Sequence, residues 1–214
     1  MKLQMKEHNQ PGLLFTFCGL DGSGKTTQIE LLSEYLKDNG FPVFLTKQPT
    51  DFVRKSDMFR TYMDQPDHDE YEYRALSLLC ASDRVQHTYK VILPELAGGS
   101  IVLSDRYFYS CLTNLRARNY VQDHWIYDVA SFIPKPDCAF FLDIPVKTAI
   151  SRVRSRPHEK TRFIDVELQY RLREEFLRIA EDCGGIILDG SKDPIEIHSF
   201  IIELINEGRV LCKG

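Results

Sequence analysis

The chain is predicted to be α/β, with a five-stranded parallel sheet flanked by helices in three layers. Three observations lead there. Five apolar runs of strand length, Leu13 to Cys18, Pro42 to Thr46, Ile101 to Ser104, Cys138 to Asp143 and Gly185 to Asp189, alternate with longer stretches of helical periodicity. The first run passes directly into Gly19-Leu20-Asp21-Gly22-Ser23-Gly24-Lys25-Thr26-Thr27, which fills every fixed position of G-x-x-x-x-G-K-[ST]. A length of 214 residues with 43% hydrophobic and 27% charged content suits one domain, 1–214, with a substantial core. A strand, that loop and a helix in succession make the expected architecture a P-loop NTPase fold.

The first strand, Leu13 to Cys18, feeds the loop. A triphosphate must be wrapped by backbone N–H groups, which requires glycines where a side chain would block the approach or where φ is positive. The following helix points its N-terminus at the anion. Lys25 is expected to reach the β- and γ-phosphates of ATP, and the Thr26 hydroxyl to ligate Mg2+. Thr27 is expected to begin the helix proper, which buries Ile29, Leu32 and Leu36. The second strand ends at Lys47-Gln48-Pro49-Thr50. Tyr71 to Leu96 is expected to form one long helix with an irregularity near Pro94, ending before Ala97-Gly98-Gly99.

The third strand ends in Asp105-Arg106-Tyr107, an acid followed at once by a base. Ligands of open parallel sheets bind at the carboxyl ends of the strands. Asp105 is therefore placed to hold Mg2+ through water, and Arg106 to bind a phosphate. The fourth strand ends at Asp143. Beyond it, Val146, Ala149, Ile150 and Val153 form one helical stripe and Leu168, Leu172, Phe176 and Ile179 another, before the last strand.

Bulk properties narrow the function. A net charge of −4 argues against neutralising a nucleic-acid polymer, although local arginines can still bind a small anion. No apolar stretch approaches the ~20 residues that span a bilayer, and Met1 to Pro11 is polar, so no membrane partner and a cytoplasmic location are expected. Cys18, Cys80, Cys111, Cys138, Cys183 and Cys212 are scattered and lack a C-x-x-C pair. Reduced thiols are expected, with no structural zinc.

Several motifs in order carry a family resemblance. Phe17 through Gln28 is similar to F-E-G-x-[DE]-G-x-G-K-[ST]-T-Q, with Cys18 in place of the Glu. Asp105 through Ser110 is similar to D-R-[YH]-x-x-S, and Pro136 through Arg152 to P-D-x-x-x-x-L-D-x-x-x-x-x-A-x-x-R. Together they resemble the thymidylate kinases over nearly the whole chain. The resemblance implies transfer of the ATP γ-phosphoryl group to a pyrimidine deoxynucleoside monophosphate, dTMP to dTDP. It further implies that Asp21 accepts a hydrogen bond from the acceptor sugar, that Arg106 holds the acceptor phosphate, that Arg84 contacts the base, and that Lys47 and Ser110 line the acceptor site.

Arg152, Arg154, Arg156, Lys160 and Arg162 place five basic residues within eleven positions. The stretch 152–163 resembles a mobile lid. Because the P-loop offers Ser23 where some family members carry an Arg, Arg156 and Arg162 are the expected catalytic cations and Arg152 lies nearer the adenine. Cys80 occupies the place of the aromatic that stacks on thymine, and Thr113-Asn114-Leu115 replaces an A-Y-Q-like stretch. Another pyrimidine monophosphate or a nucleoside therefore stays open as acceptor, as does a nucleotide-binding protein without kinase activity. A guanine-specific switch would carry N-K-x-D, which the sequence lacks. The resemblance also implies a homodimer through helices such as the one carrying Arg84.

Overall fold

The structure is a computed structural model that describes residues 2–68 and 70–207. Its five strands, β1 (Leu13–Gly19), β2 (Val43–Lys47), β3 (Ile101–Asp105), β4 (Cys138–Asp143) and β5 (Ile186–Asp189), form one parallel sheet in the order β2-β3-β1-β4-β5. Each expected strand is present within a residue or so at its ends. The helices are α1 (Lys25–Asp38), α2 (Asp51–Arg54), α3 (Asp57–Asp64), α4 (Tyr73–His87), α5 (Leu93–Ala97), α6 (Tyr109–Ala117), α7 (Trp125–Ala130), α8 (Val146–Arg154), α9 (Val166–Cys183) and α10 (Pro194–Asn206).

Side chains alternate across β1, and that alternation divides the core in two. Leu14 and Cys18 join Leu76, Tyr107, Phe141, Ala149 and Phe176 on one face of the sheet. Phe15 and Phe17 join Ile29, Leu32, Phe140, Ile197 and Ile201 on the other. Helices α1 and α10 cover this second face, and α4, α6, α8 and α9 cover the first. Both faces are sealed, as an all-parallel sheet requires.

The long helix expected over Tyr71 to Leu96 is three pieces. Helix α4 ends at His87, a π-helical turn spans Thr88–Ile92, and α5 resumes at Leu93. Pro94 lacks the N–H that would continue the α-helical ladder, and the wider turn before it absorbs the mismatch. Strand β1 lies between β3 and β4; the crossover from β1 runs to β2 on one side, and the crossover from β3 passes β1 to reach β4 on the other. This is the switch point at whose carboxyl edge a ligand crevice opens.

Candidate active site

The crevice is a cavity of about 290 Å3 running from the P-loop to α4 and α6. At its head, Gly19 (φ 134°) and Gly22 (φ 85°) cannot be replaced by residues with side chains. A Cβ on Gly19 would lie 2.5 Å from the Leu142 carbonyl oxygen, and one on Gly22 2.5 Å from that of Ala149. The loop is thus clamped between β4 and α8. Helix α1 starts at Lys25, two residues earlier than the expected Thr27, because Gly24 at φ 99° already turns the chain into the helix. No side chain caps this N-terminus, so its first N–H groups remain available to an anion.

Lys25 is buried, and its Nζ donates to the Leu20 carbonyl at 2.7 Å and the Gly19 carbonyl at 3.2 Å. Burial and then the charge of Arg106 push its ammonium down to about 8, against the pull of Asp21 and Asp105. Thr26 and Thr27 are exposed to the crevice, and Leu20, Gly22 and Gly24 complete its wall there. Ser23 is buried beneath the loop.

Opposite the loop stands Arg106, held with φ 71°, an unfavourable conformation for a residue with a side chain. Its N–H donates to the Phe17 carbonyl at 2.9 Å, and its own carbonyl accepts from the Ser104 hydroxyl at 2.7 Å. These bonds aim the guanidinium at Asp21, 2.5 Å away. Arg162 reaches the other oxygen of Asp21 at 3.1 Å and pairs with Glu159 at 2.9 Å. Burial raises the Asp21 pKa, yet Arg106, Lys25 and Arg162 together take the carboxyl well below the usual carboxylate range. One carboxylate therefore ties the P-loop, the end of β3 and the 152–163 segment together.

Asp105, at the end of β3, is the register partner of Lys47 and pairs with its Nζ at 3.1 Å through Oδ2. Its Oδ1 is buried with no hydrogen-bond partner. An orphaned carboxylate oxygen under the charge of Lys25, in the same crevice as Thr26, suits a hydrated Mg2+. Among the described residues, no group of three or more His, Cys, Asp or Glu side chains could hold a metal ion.

Farther along the crevice, Arg84 is buried and donates to the carbonyls of Cys80 at 2.9 Å and Tyr107 at 3.4 Å. Its neighbour Asp83 accepts from the Thr50 N–H at 2.8 Å and from the Thr50 hydroxyl, which joins α4 to the turn after β2. Ser110 is buried with its Oγ unpartnered, and it too lines the crevice. In the 152–163 segment, Arg152 donates to the Gly190 carbonyl at 3.0 Å and the Gly22 carbonyl at 3.5 Å. Arg156 is exposed at the rim. The expected site residues therefore line one crevice, except Gly19 and Ser23, which are buried in the loop, and Arg152, which lies behind it.

Sequence reading missed Arg54, Tyr73 and Arg118. Arg54 follows the Gln48–Pro49 turn, whose peptide is cis, and donates from Nε to the Pro49 carbonyl at 2.7 Å. Burial and then the charge of Arg106 lower its pKa, against the pull of Asp105 and Asp21, and both guanidiniums line the same crevice. Neither Arg54 nor Arg118 sits at a fixed offset from a motif. The only available signal for Arg54 was its place shortly after a strand's carboxyl end.

A P-loop beside a second cluster of guanidiniums, on a parallel sheet, defines a nucleotide phosphotransferase, an enzyme that brings a nucleoside triphosphate to a second phosphate-bearing nucleotide. Comparison with known proteins narrows the class. The sequence model of the thymidylate kinase family matches residues 17–201. The chain is 40% identical over 197 residues to a probable thymidylate kinase of Pyrococcus horikoshii, covering 91% of this chain and 96% of that protein. It is 39% identical over 194 residues to a probable thymidylate kinase of Thermococcus kodakarensis, covering 87% and 94%. With a thymidylate kinase of a Sulfurihydrogenibium species the identity is 34% over 205 residues, covering 94% and 100%. The chain belongs to the thymidylate kinase family.

Proposed function

We infer that this enzyme transfers the γ-phosphoryl group of ATP to dTMP, giving dTDP. The observation that carries this reading is that Arg54, Arg106 and Lys47 line the same crevice as the P-loop, which offers a second anion a place beside the first. In the ligand-free protein Asp21 takes Arg106, and Arg54 remains close enough for the charge of Arg106 to disfavour its own; a phosphate monoester would neutralise both guanidiniums.

Phosphoryl transfer asks the protein for position and charge, since little covalent chemistry falls to its side chains. The glycine loop and the N-terminus of α1 hold the triphosphate. Lys25 leaves the loop carbonyls for the β- and γ-phosphates, where the added negative charge favours its ammonium form. Arg54 and Arg106 hold the acceptor phosphate, with Lys47 at the edge of that site and Arg84 and Ser110 deeper along the acceptor. Thr26 and Asp105 would hold Mg2+, which supplies further neutralisation of the phosphate oxygens.

The 152–163 segment acts as a lid. Arg162 and Arg156 swing onto the transferred group, where such an arginine is worth ~10³ to 10⁵ in rate, while Arg152 stays near the adenine. Closing the lid excludes the water that would otherwise compete as acceptor. Asp21 releases one guanidinium as substrates arrive and takes the acceptor sugar hydroxyl instead.

Residues 1–214 act as one kinase domain. The five free cysteines among the described residues support a reducing, cytoplasmic setting, while Cys212 lies outside them. Exposed Leu78 on α4 and Tyr89 just after it support pairing of two copies through that helix. Among the described residues, no helix is long and apolar enough to cross a membrane. ATP and Mg2+ offered with a panel of nucleosides and monophosphates test the reading. Fastest diphosphate formation from dTMP is expected, and ATP consumption independent of any acceptor would refute it.

A further inference from the structure

A stripe along α6, ending at the residue just past it, leads from Ser110 of the acceptor site away from the phosphoryl chemistry. Ser110, Asn114 and Arg118 stand four residues apart, so they share one helix face, and all three line the crevice. The first lies four residues after Arg106. The last lies about 12 Å farther along the helix axis, given a rise of 1.5 Å per residue. That span suits the distance from the phosphate to the far edge of the base in a nucleoside monophosphate.

Arg118 is held in an unusual way for a half-buried cation. Its Nη1 donates to the Asn114 Oδ1 at 2.7 Å and the Asn114 carbonyl at 3.4 Å. Its guanidinium carbon lies 4.2 Å from the centre of the Tyr73 ring, on α4. Among the described residues it forms no ion pair, in contrast to Arg106, Arg162 and Arg173. Asn114 is itself fixed, because its Nδ2 donates to the Ser110 carbonyl at 2.8 Å. The amide thus acts as a tether that turns one edge of the guanidinium toward the helix and leaves the Nε and Nη2 donors for another partner. Tyr73 is buried, and the charges of both Arg118 and Arg84 act on it, so the two arginines flank a single aromatic wall.

We propose that Arg118, oriented by Asn114 and Tyr73, is a specificity-determining contact that donates a hydrogen bond to a carbonyl oxygen on the distal edge of the acceptor base. A base with an exocyclic amine at that edge would set donor against donor and leave the guanidinium unpaired, a penalty larger than the loss of a simple contact. Asn114 is a positioning residue in this arrangement. The inference rests on the nucleotide kinase reading above and names what its acceptor site selects.

The test is steady-state kinetics of the full-length protein with dTMP and dCMP as acceptors, for wild type, R118A, R118K and N114A. Wild type should favour dTMP. R118A should raise the KM for dTMP about tenfold or more, with kcat and the KM for ATP little changed, and should narrow the preference over dCMP. R118K should recover part of the loss, and N114A should show a smaller rise of the same kind. Calorimetric binding of dTMP without ATP gives a second readout, and the thermal midpoint shows whether each variant is folded. An unchanged KM for dTMP in folded R118A and R118K, or an undiminished preference over dCMP, overturns the assignment. Absence of dTMP turnover in the wild type would instead sink the kinase reading, and this inference with it.

Discussion

Asp21 and Arg106, 85 residues apart in sequence, meet at 2.5 Å across the mouth of the crevice. The same carboxylate takes Arg162 from 141 residues away on its other oxygen. Two guanidiniums on one planar anion is the arrangement a phosphoryl group would receive from the same residues. Asp21 holds the two cations together and offsets part of their mutual repulsion.

Arg106→Ala removes the partner of Asp21 and the group proposed to hold the acceptor phosphate. Its kcat is expected to fall by ~10³ or more, with the thermal midpoint changed far less than activity. Arg162→Ala should lower kcat similarly while leaving the KM for the acceptor nearly intact, because Arg54 and Arg106 remain. Single-turnover measurements at saturating ATP separate the two cases.

Burial and then the charge of Arg106 push the Lys25 ammonium down from an ordinary 10.5 to about 8. Only the ammonium serves a triphosphate, so ATP binding should weaken about tenfold between pH 7 and pH 9, as the charged fraction falls. Stability of the ligand-free protein changes in the opposite sense. The unfolded chain binds this proton more tightly, so folding gains from rising pH between about 8 and 10.5, and below about 8 the full cost of the buried charge is present. Lys25→Met should remove the pH dependence of ATP binding together with most of the affinity. Calorimetry of ATP binding and thermal unfolding across pH 6.5 to 9.5 checks both signs.

Gly22→Ala places a Cβ 2.5 Å from the Ala149 carbonyl oxygen, at a backbone φ of 85°. The strain and the clash together should cost about 2 kcal/mol or more and push the loop off α8. Denaturant unfolding should report the loss, with ATP affinity falling in parallel.

Cys18, Cys111 and Cys138 are buried, and burial pushes each thiol up to about 12. At neutral pH an alkylating reagent should leave them unmodified while the protein is folded and label them at once in denaturant. Cys80, half-buried on the acceptor side of the crevice, should react slowly, and dTMP should protect it. Mass spectrometry of native and denatured samples decides.

Much of this was legible in the chain. Leu13 to Cys18 alternates between two cores and leads into a glycine loop whose offsets admit little besides a phosphate cradle. Asp105-Arg106 stood out because a strand's end is where a parallel sheet presents its ligands. The extra turn at Thr88–Ile92 was signalled only as an irregularity at Pro94, since a missing N–H marks where the ladder breaks but not how the backbone repairs it. Arg54 and Arg118 escaped notice because neither occupies a fixed position of a motif, and only the docking of α2, α4 and α6 brings them to the crevice.

Taken by itself, the sequence determined the local parts: five strands, the amphipathic helices, the phosphate loop and the family to which they belong. Those depend on period, glycine placement and short offsets, all of which act within a few residues along the backbone. Tertiary structure alone decided that Asp21 bridges Arg106 and Arg162, that burial disfavours the charge of Lys25, and that Arg118 faces Tyr73. Contacts between residues so distant in sequence follow from the strand order and from which helix covers which face, and charge interactions depend on the burial that results.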